Sequence, residues 1–523
     1  MNQKQFYIVR VALIVALGGF LMGFDASVIS GVVRFIGPEF GLSSLQIGWA
    51  VGSLTLTATL AMIAAGPLSD RFGRRGILQA AAILYAVSAI ASALAPDFPS
   101  FVIARMIGGL GVGASLIVGP MYIAEIAPPK SRGRLVSLNQ LNIVIGISAA
   151  FFSNYLILRW SQADASWVQA IMLDVHAWRW MLGIETLPAI LFFAGLMWVP
   201  QSPRWQIMQG MHDQAAKTLN LVFDEADTQR QMADIRRNLE ADKTREKPAL
   251  KEIFHPALRL VLMTGILLAI LQQITGINAV FFYAPMIFEQ SGIGTDAAFM
   301  QAVLVGLTNL AFTVIAILLI DKLGRRPLLL GGMAGITLAM MLLAYGFGSA
   351  TYEVSDEGIR ALELPAAMAG QLASMQGISY PSDVSFRNAL AEVLGAETAR
   401  AYESDIIATA IDINPGLILF AILFFVASFA VSIGPVMWVM FSELFPLRVR
   451  GLAISFAGFI NSGVSFLVQL LFPWELAQLG NSLTFLIYGI FAAAGLFFIW
   501  KLVPETKNKS LEQLEVQLTR PRA

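Results

Sequence analysis

The chain has 523 residues, of which 57% are hydrophobic and 13% charged, and its 35 basic side chains balance 35 acidic ones. Globular domains carry about 25% charged residues, so this composition excludes an ordinary water-soluble protein, and the neutral balance offers no surplus for nucleic acid. Cysteine is absent and His176, His212 and His255 fall in loops or at their edges, so disulfides, thiol catalysis, a metal centre and any other cofactor are not expected.

Twelve apolar runs are long enough to span, because about 20 residues at 1.5 Å rise cross a hydrocarbon core roughly 30 Å thick. The first six lie near Val11 to Val33, Ile47 to Ser69, Ile77 to Ala95, Phe101 to Ile123, Leu135 to Leu158 and Trp180 to Val199. The second six lie near Leu258 to Phe288, Ala302 to Ile320, Leu328 to Gly348, Gly416 to Phe441, Leu452 to Phe472 and Leu483 to Val503. Lys4 and Arg10 imitate the start of a signal peptide, but no convincing small-x-small cleavage site follows, and the first run is expected to persist as span 1.

Basic residues cluster after the even spans: Arg71, Arg74 and Arg75; Lys130, Arg132 and Arg134; Lys322, Arg325 and Arg326; Arg448 and Arg450; Lys501, Lys507 and Lys509. These ends are expected to be cytoplasmic, which puts both termini there in a multi-pass protein of the cell (inner) membrane.

The two halves repeat one another. GPLSDRFGRR (Gly66 to Arg75) after span 2 returns as LIDKLGRRP (Leu319 to Pro327) after span 8. Glu125 with Arg132-Gly133 after span 4 returns as Glu443 with Arg450-Gly451 after span 10, and VPQSPR (Val199 to Arg204) is answered by VPETK (Val503 to Lys507). From Asp70 to Asp321 is 251 residues and from Glu125 to Glu443 is 318, so the second half holds 67 extra residues, matching the polar, acidic stretch 349–415.

The expected fold is therefore an all-α membrane protein with twelve transmembrane helices in two pseudo-symmetric six-helix bundles. Residues 1–200 form the N-terminal bundle and 201–256 a cytoplasmic helical linker. Residues 257–348 and 416–503 form the C-terminal bundle, 349–415 an extracytoplasmic insertion and 504–523 a cytoplasmic tail. The insertion's amphipathic stretches predict short helices capping the outer mouth, with a passive solvated loop as the alternative.

The two repeated cassettes, GPLSDRFGRR and LIDKLGRRP, together with PMYIAEIAPPKSRGRLVSLNQ (Pro120 to Gln140), QQITGINAVFFYAP (Gln272 to Pro285), GPVMWVMFSELFP (Gly434 to Pro446) and the VPETK end, resemble the sugar porter family of the major facilitator superfamily. That resemblance implies alternating access around one polyol site between two six-helix halves, no enzymatic activity, and a small sugar and protons as partners of a monomer in the lipid bilayer.

Three charges inside the spans stand out. Asp25 in span 1, Arg105 in span 4 and Glu185 in span 6 fall at one depth by helical rise, Asp25 about 22 Å above the cytoplasmic edge and the other two about 10 Å into descending spans. Ionised groups so deep cost several kcal/mol unless paired or wet, so they form the candidate proton-coupling cluster, with a static structural pair as the bland alternative. Asp25 would alternate between a protonated state and a state paired with Arg105. Proton symporters of the family carry Asp at this position where passive facilitators commonly carry Asn.

Gln272, Gln273 and Asn278 supply amides that match the donors and acceptors of a neutral polyol. Gln272 and Asn278 can face one ligand only if the helix breaks, which Gly276 permits. Trp438 offers an apolar face and an indole N–H. The resemblance implies the full set Gln140, Gln272, Gln273, Asn278, Asn309, Phe429, Trp438 and Asn461 as substrate-binding residues. Ile147, Phe282-Tyr283 and Ser462 depart from patterns found in other members and leave the sugar open between hexose and pentose.

GLGVGA (Gly109 to Ala114) formally fits a dinucleotide fingerprint, but it continues a span, so its small residues are expected to bring helices close. Asp70, Arg74, Arg75, Glu125 and Arg132, repeated as Asp321, Arg325, Arg326, Glu443 and Arg450, are the expected cytoplasmic gate: matched acids are not explained by a positive-inside bias alone. Proton-coupled monosaccharide symport is the leading expectation, with a passive uniporter and a non-transporting sugar receptor as alternatives.

Overall fold

The computed structural model describes residues 3–507 apart from 130, 245–248, 363 and 447, so Lys130, Lys509 and most of the expected tail lie outside the described residues. Eleven helices in that range are long and apolar enough to cross a membrane. The last, Arg450–Leu502, is 53 residues long and turns at Gly480, where φ is 80°, so it supplies two crossings and the spans number twelve. Exposed side chains such as Leu60, Ile63, Ile103, Leu187, Ile190 and Phe497 form the apolar outer faces of a multi-pass membrane protein.

Two compact units divide the chain. The first gathers residues 1–28, 53–150 and 176–249, and the second 29–52, 151–175 and 250–523, so spans 1, 2 and 5 each contribute to both. In the first, Val15, Leu54, Tyr85, Val112, Tyr122 and Phe192 belong to one buried cluster. Span 4 comes close to span 2 here because it lacks side chains on one face: a Cβ on Gly109 or Gly113 would strike the backbone of Leu54 or Ala58. The stretch that formally fits a nucleotide fingerprint thus lies inside the helix Phe98–Ile126 and serves packing. Asp97 starts that helix with a capping box, accepting from Ser100 N at 2.9 Å.

Linker helices Pro203–Met208, His212–Asn220 and Glu225–Thr244 share a small core of Ile207, Ala215, Leu219 and Met232. Lys4 is tied to this layer by Asp224 at 2.6 Å.

In the second unit, residues 349–415 form a folded layer rather than a passive loop. Helices Asp356–Ala361, Ala366–Leu372, Asp383–Leu394 and Ala396–Ala410 surround buried Tyr352, Leu372, Phe386, Leu390 and Ile406. A three-stranded antiparallel sheet accompanies them, with Thr351–Glu353 between Ser379–Tyr380 and Ile411–Asp412, an addition to the expected helices.

The cassettes owe their tight turns to Gly73 and Gly324. Both have left-handed φ, 84° and 95°, which only glycine adopts at little cost, and this lets spans 2 and 8 reverse directly into spans 3 and 9.

Candidate functional site

In the first unit Arg105 donates from Nη1 to Asp25 Oδ1 and from Nη2 to the Asp25 carbonyl, the latter at 3.1 Å. Both side chains are buried, as is that of Glu185 in span 6, which lies between Ala177–Gly183 and Thr186–Met197 where the backbone keeps right-handed helical angles, and which interacts electrostatically with both. Asp25 Oδ2 and Glu185 Oε1 have no hydrogen-bond partner among the described residues. Ser88 lies on the Asp25 side of the cluster, since a Cβ on Gly108 would meet both Ser88 Oγ and Asp25 Oδ2. One guanidinium facing two buried carboxyl groups is electrically balanced when one carboxyl carries a proton.

In the second unit span 7 breaks at Gly276, which takes the left-handed conformation at φ 91° between Arg259–Ile274 and Ile277–Glu289. The break brings the amides together. Asn278 Nδ2 donates to Gln273 Oε1 at 2.7 Å and to Ser465 Oγ at 2.6 Å. Gln273 Nε2 donates to Asn461 Oδ1 at 3.1 Å, and Asn461 Nδ2 donates to Gln272 Oε1 at 2.8 Å. Gln272 Nε2 in turn reaches the Gly434 carbonyl at 3.0 Å, in the stretch after span 10 breaks at Ser432. Gln272, Gln273 and Asn461 each both donate and accept here, the property a polyol needs from its binder.

Asn309 is buried on span 8, and Phe429 is buried against Gly434. Trp438 stays 43% exposed, its ring edge-on to Phe441 at 5.7 Å. Gln140, exposed, belongs to the first unit and is not part of this amide cluster. Ser465 and Gln469, joined at 2.8 Å, extend the network and were not among the expected residues. Their signal was the polar stripe Asn461, Ser465, Gln469, spaced four residues apart along one helix face.

Each cassette builds an ion cage within its own unit. Arg74 bridges Asp70 at 2.8 Å and Glu125 at 2.9 Å, while Ser202 donates to the other Glu125 oxygen and Gln201 Oε1 accepts from Arg75 N at 3.3 Å. Arg325 bridges Asp321 at 3.3 Å and Glu443 at 2.9 Å, Thr506 donates to Glu443 at 2.5 Å, and Glu505 accepts from the N–H groups of Arg325 and Arg326 at 3.2 and 3.1 Å. Burial alone would raise the Glu505 carboxyl, but backbone N–H groups of Lys507, Arg325, Arg326 and Thr506 together hold it below its ordinary value. Gln201, Ser202, Glu505 and Thr506 were missed as cage members, although the VPQS and VPET repeat marks all four. Arg450 Nε instead donates to the Phe445 carbonyl at 2.9 Å, and Arg132 is exposed.

A family model described as "Sugar (and other) transporter" matches residues 11–364 and 392–518. The arabinose-proton symporter of Bacillus subtilis (strain 168) is 34% identical over 97% of this chain and 94% of its own length. The D-xylose-proton symporter of Escherichia coli (strain K12) is 34% identical over 97% of this chain and 95% of its own length. Among solved structures, the inward-open conformation of the xylose transporter XylE from E. coli is similar with a TM-score of 0.73 and 32% identity, covering 98% of this chain and 100% of that one.

Proposed function

The chain belongs to the sugar transporter family of the major facilitator superfamily, and we infer from that premise that it moves a monosaccharide across the cell membrane together with a proton. The observation that carries the coupled half of this reading is the buried Asp25–Arg105 pair, with Glu185 as a second buried carboxyl group close enough to feel the same cation. Protonation of Asp25 frees Arg105, and Arg105 then has Glu185 as its remaining acid; the reverse shift releases the proton. This exchange ties the charge state of spans 1, 4 and 6 to the conformation they adopt.

The cargo half rests on Gln272, Gln273, Asn278 and Asn461, whose mutual bonds are satisfied without ligand and can be traded for bonds to sugar hydroxyls. Trp438 supplies a ring for the C–H face of the sugar. Gln140, Asn309 and Phe429 complete the proposed set. An aldopentose such as arabinose or xylose fits the relatives' substrates, and hexoses remain within the same chemistry.

The two ion cages form the proposed cytoplasmic gate. Each fixes the ends of its own helices, so that the six-span sets can move as bodies during alternating access. In this arrangement both termini are cytoplasmic, 349–415 is extracytoplasmic, and the protein acts as a transporter rather than an enzyme, one chain in the bilayer being the working unit.

The test is uptake into proteoliposomes with an acidic exterior, screened over glucose, galactose, xylose, arabinose and inositol. Accumulation of one sugar above equilibrium, abolished by a protonophore, is expected. Equilibration without accumulation would establish a uniporter, and binding without flux a receptor.

A further inference from the structure

The outer end of span 1 carries a charge that the coupling and cargo sites do not use. Arg34, with its side chain 24% exposed, pairs through Nη1 with Glu289 Oε1 at 2.7 Å and through Nη2 with Asp405 Oδ1 at 3.0 Å. Glu289 is the last residue of the helix Ile277–Glu289 that follows the Gly276 break, and its side chain is only 4% exposed. Asp405 lies on the helix Ala396–Ala410 of the inserted layer and is 51% exposed. All three belong to the second unit.

The inserted layer is itself anchored. Asp383 Oδ2 accepts from Asn481 N at 3.0 Å and from Asn481 Nδ2 at 2.9 Å, just beyond the turn at Gly480 that joins spans 11 and 12. Arg387, one turn after Asp383, donates to the Leu476 carbonyl at 2.9 Å before that turn and pairs with Glu403 at 2.8 Å. Glu403 stands two residues before Asp405 on the same helix. Polar contacts therefore tie the span 11–12 turn to Asp383, Arg387 and Glu403, and the helix that carries Glu403 also carries Asp405, which pairs with Arg34.

The energetics of its two carboxylates differ. An ion pair with an exposed acid contributes little, whereas a buried acid deprived of its cation is left uncompensated and strongly disfavoured. Glu289 thus makes separation of the span 1 end from span 7 costly, and Asp405 trims the same equilibrium from the solvent side. A second, more exposed contact, Arg159 with Asp296 at 3.1 Å, joins the end of span 5 to the start of span 8.

We propose that residues 349–415 act as a strut on the side opposite the cassettes: anchored to the span 11–12 turn, they present Asp405 so that, with Glu289, it locks Arg34 at the end of span 1, and this lock must open before that side can open. Arg34, Glu289 and Asp405 are positioning residues, since none lies in the amide cluster or the proton-coupling cluster. The proposal rests on the alternating-access reading above and adds a device on the side that the repeated cassettes do not serve.

The natural absence of cysteine lets spin labels be placed at will. Labels at Leu45→Cys, at the start of span 2, and Glu392→Cys, on the helix Asp383–Leu394, report their separation by pulsed electron resonance in nanodiscs. In a wild type that alternates, sugar and pH redistribute a short and a long distance. Asp405→Asn is expected to raise the ratio of long to short about two- to fivefold, as suits a partly exposed pair. Glu289→Gln is expected to raise it about tenfold or more. Asp412→Asn, an exposed acid of the same layer, should leave it unchanged. Unaltered ratios in Asp405→Asn and Glu289→Gln, in a background that still shows both distances, would overturn the strut. A wild type with one distance that neither sugar nor pH moves would overturn the alternating-access reading instead.

Discussion

The ring of Tyr488 occupies the place that a side chain on Gly276 would need: a Cβ there would lie 2.7 Å from Tyr488 Cδ2. The break in span 7, which lets Gln273 and Asn278 meet, is thus held from outside as well as permitted by the backbone. Tyr488 is itself fixed, its hydroxyl donating to Glu475 at 2.7 Å and its ring stacked on Phe472 at 6.3 Å.

Gly276→Ala adds both a left-handed strain and this overlap. It should destabilise the protein by about 1–3 kcal/mol and reduce transport. The check is the thermal unfolding midpoint in detergent, followed by uptake; a wild-type midpoint and rate would show that the break tolerates a side chain.

Gln273 and Asn461 stand 188 residues apart and share one hydrogen bond, so each removal strands a partner. Gln273→Ala and Asn461→Ala should each weaken sugar binding by about 1–3 kcal/mol, and the double variant by less than the sum. Calorimetric titration of the five-sugar panel decides it. Strict additivity would mean that the two amides contact the sugar independently.

Trp438→Ala should weaken binding about two- to tenfold, the range of a single aromatic contact. Intrinsic fluorescence, with ten tryptophans in the chain, or calorimetry can follow this. Unchanged affinity would remove the ring from the cargo site.

Glu505 gives the cassette cage a pH dependence of definite sign. Its carboxyl lies below its ordinary value of 4.5 in the folded protein, so its stabilisation is present above that value and is lost as pH falls through the lower folded one. Glu505→Gln should therefore lower the unfolding midpoint at neutral pH, and the gap to wild type should narrow progressively below about pH 4.5. A gap constant with pH would show that Glu505 acts by shape rather than charge.

Much of this was legible in the sequence because the bilayer imposes long apolar runs and a duplicated chain repeats its turns. The twelve spans, the paired cassettes and the helix break at Gly276 all follow from local patterns. What the sequence hid depends on pairing across distance. The three short strands of the insertion are only two or three residues each and find partners through tertiary folding. Arg34 and Glu289 are 255 residues apart in sequence, and only the fold puts them 2.7 Å apart. Asp25 and Arg105 were picked out by the cost of burying charge and were expected to pair; the second bond, from Arg105 to the Asp25 carbonyl, required the structure.

Proton coupling through Asp25 is the central claim, and Asp25→Asn in proteoliposomes addresses it directly, since the amide keeps the size of the side chain but cannot exchange a proton. The variant should still exchange labelled sugar across the membrane at zero gradient, while accumulation driven by an acidic exterior falls to the equilibrium level. Accumulation at the wild-type level in Asp25→Asn would contradict the account and send the search for the proton's carrier elsewhere in the chain.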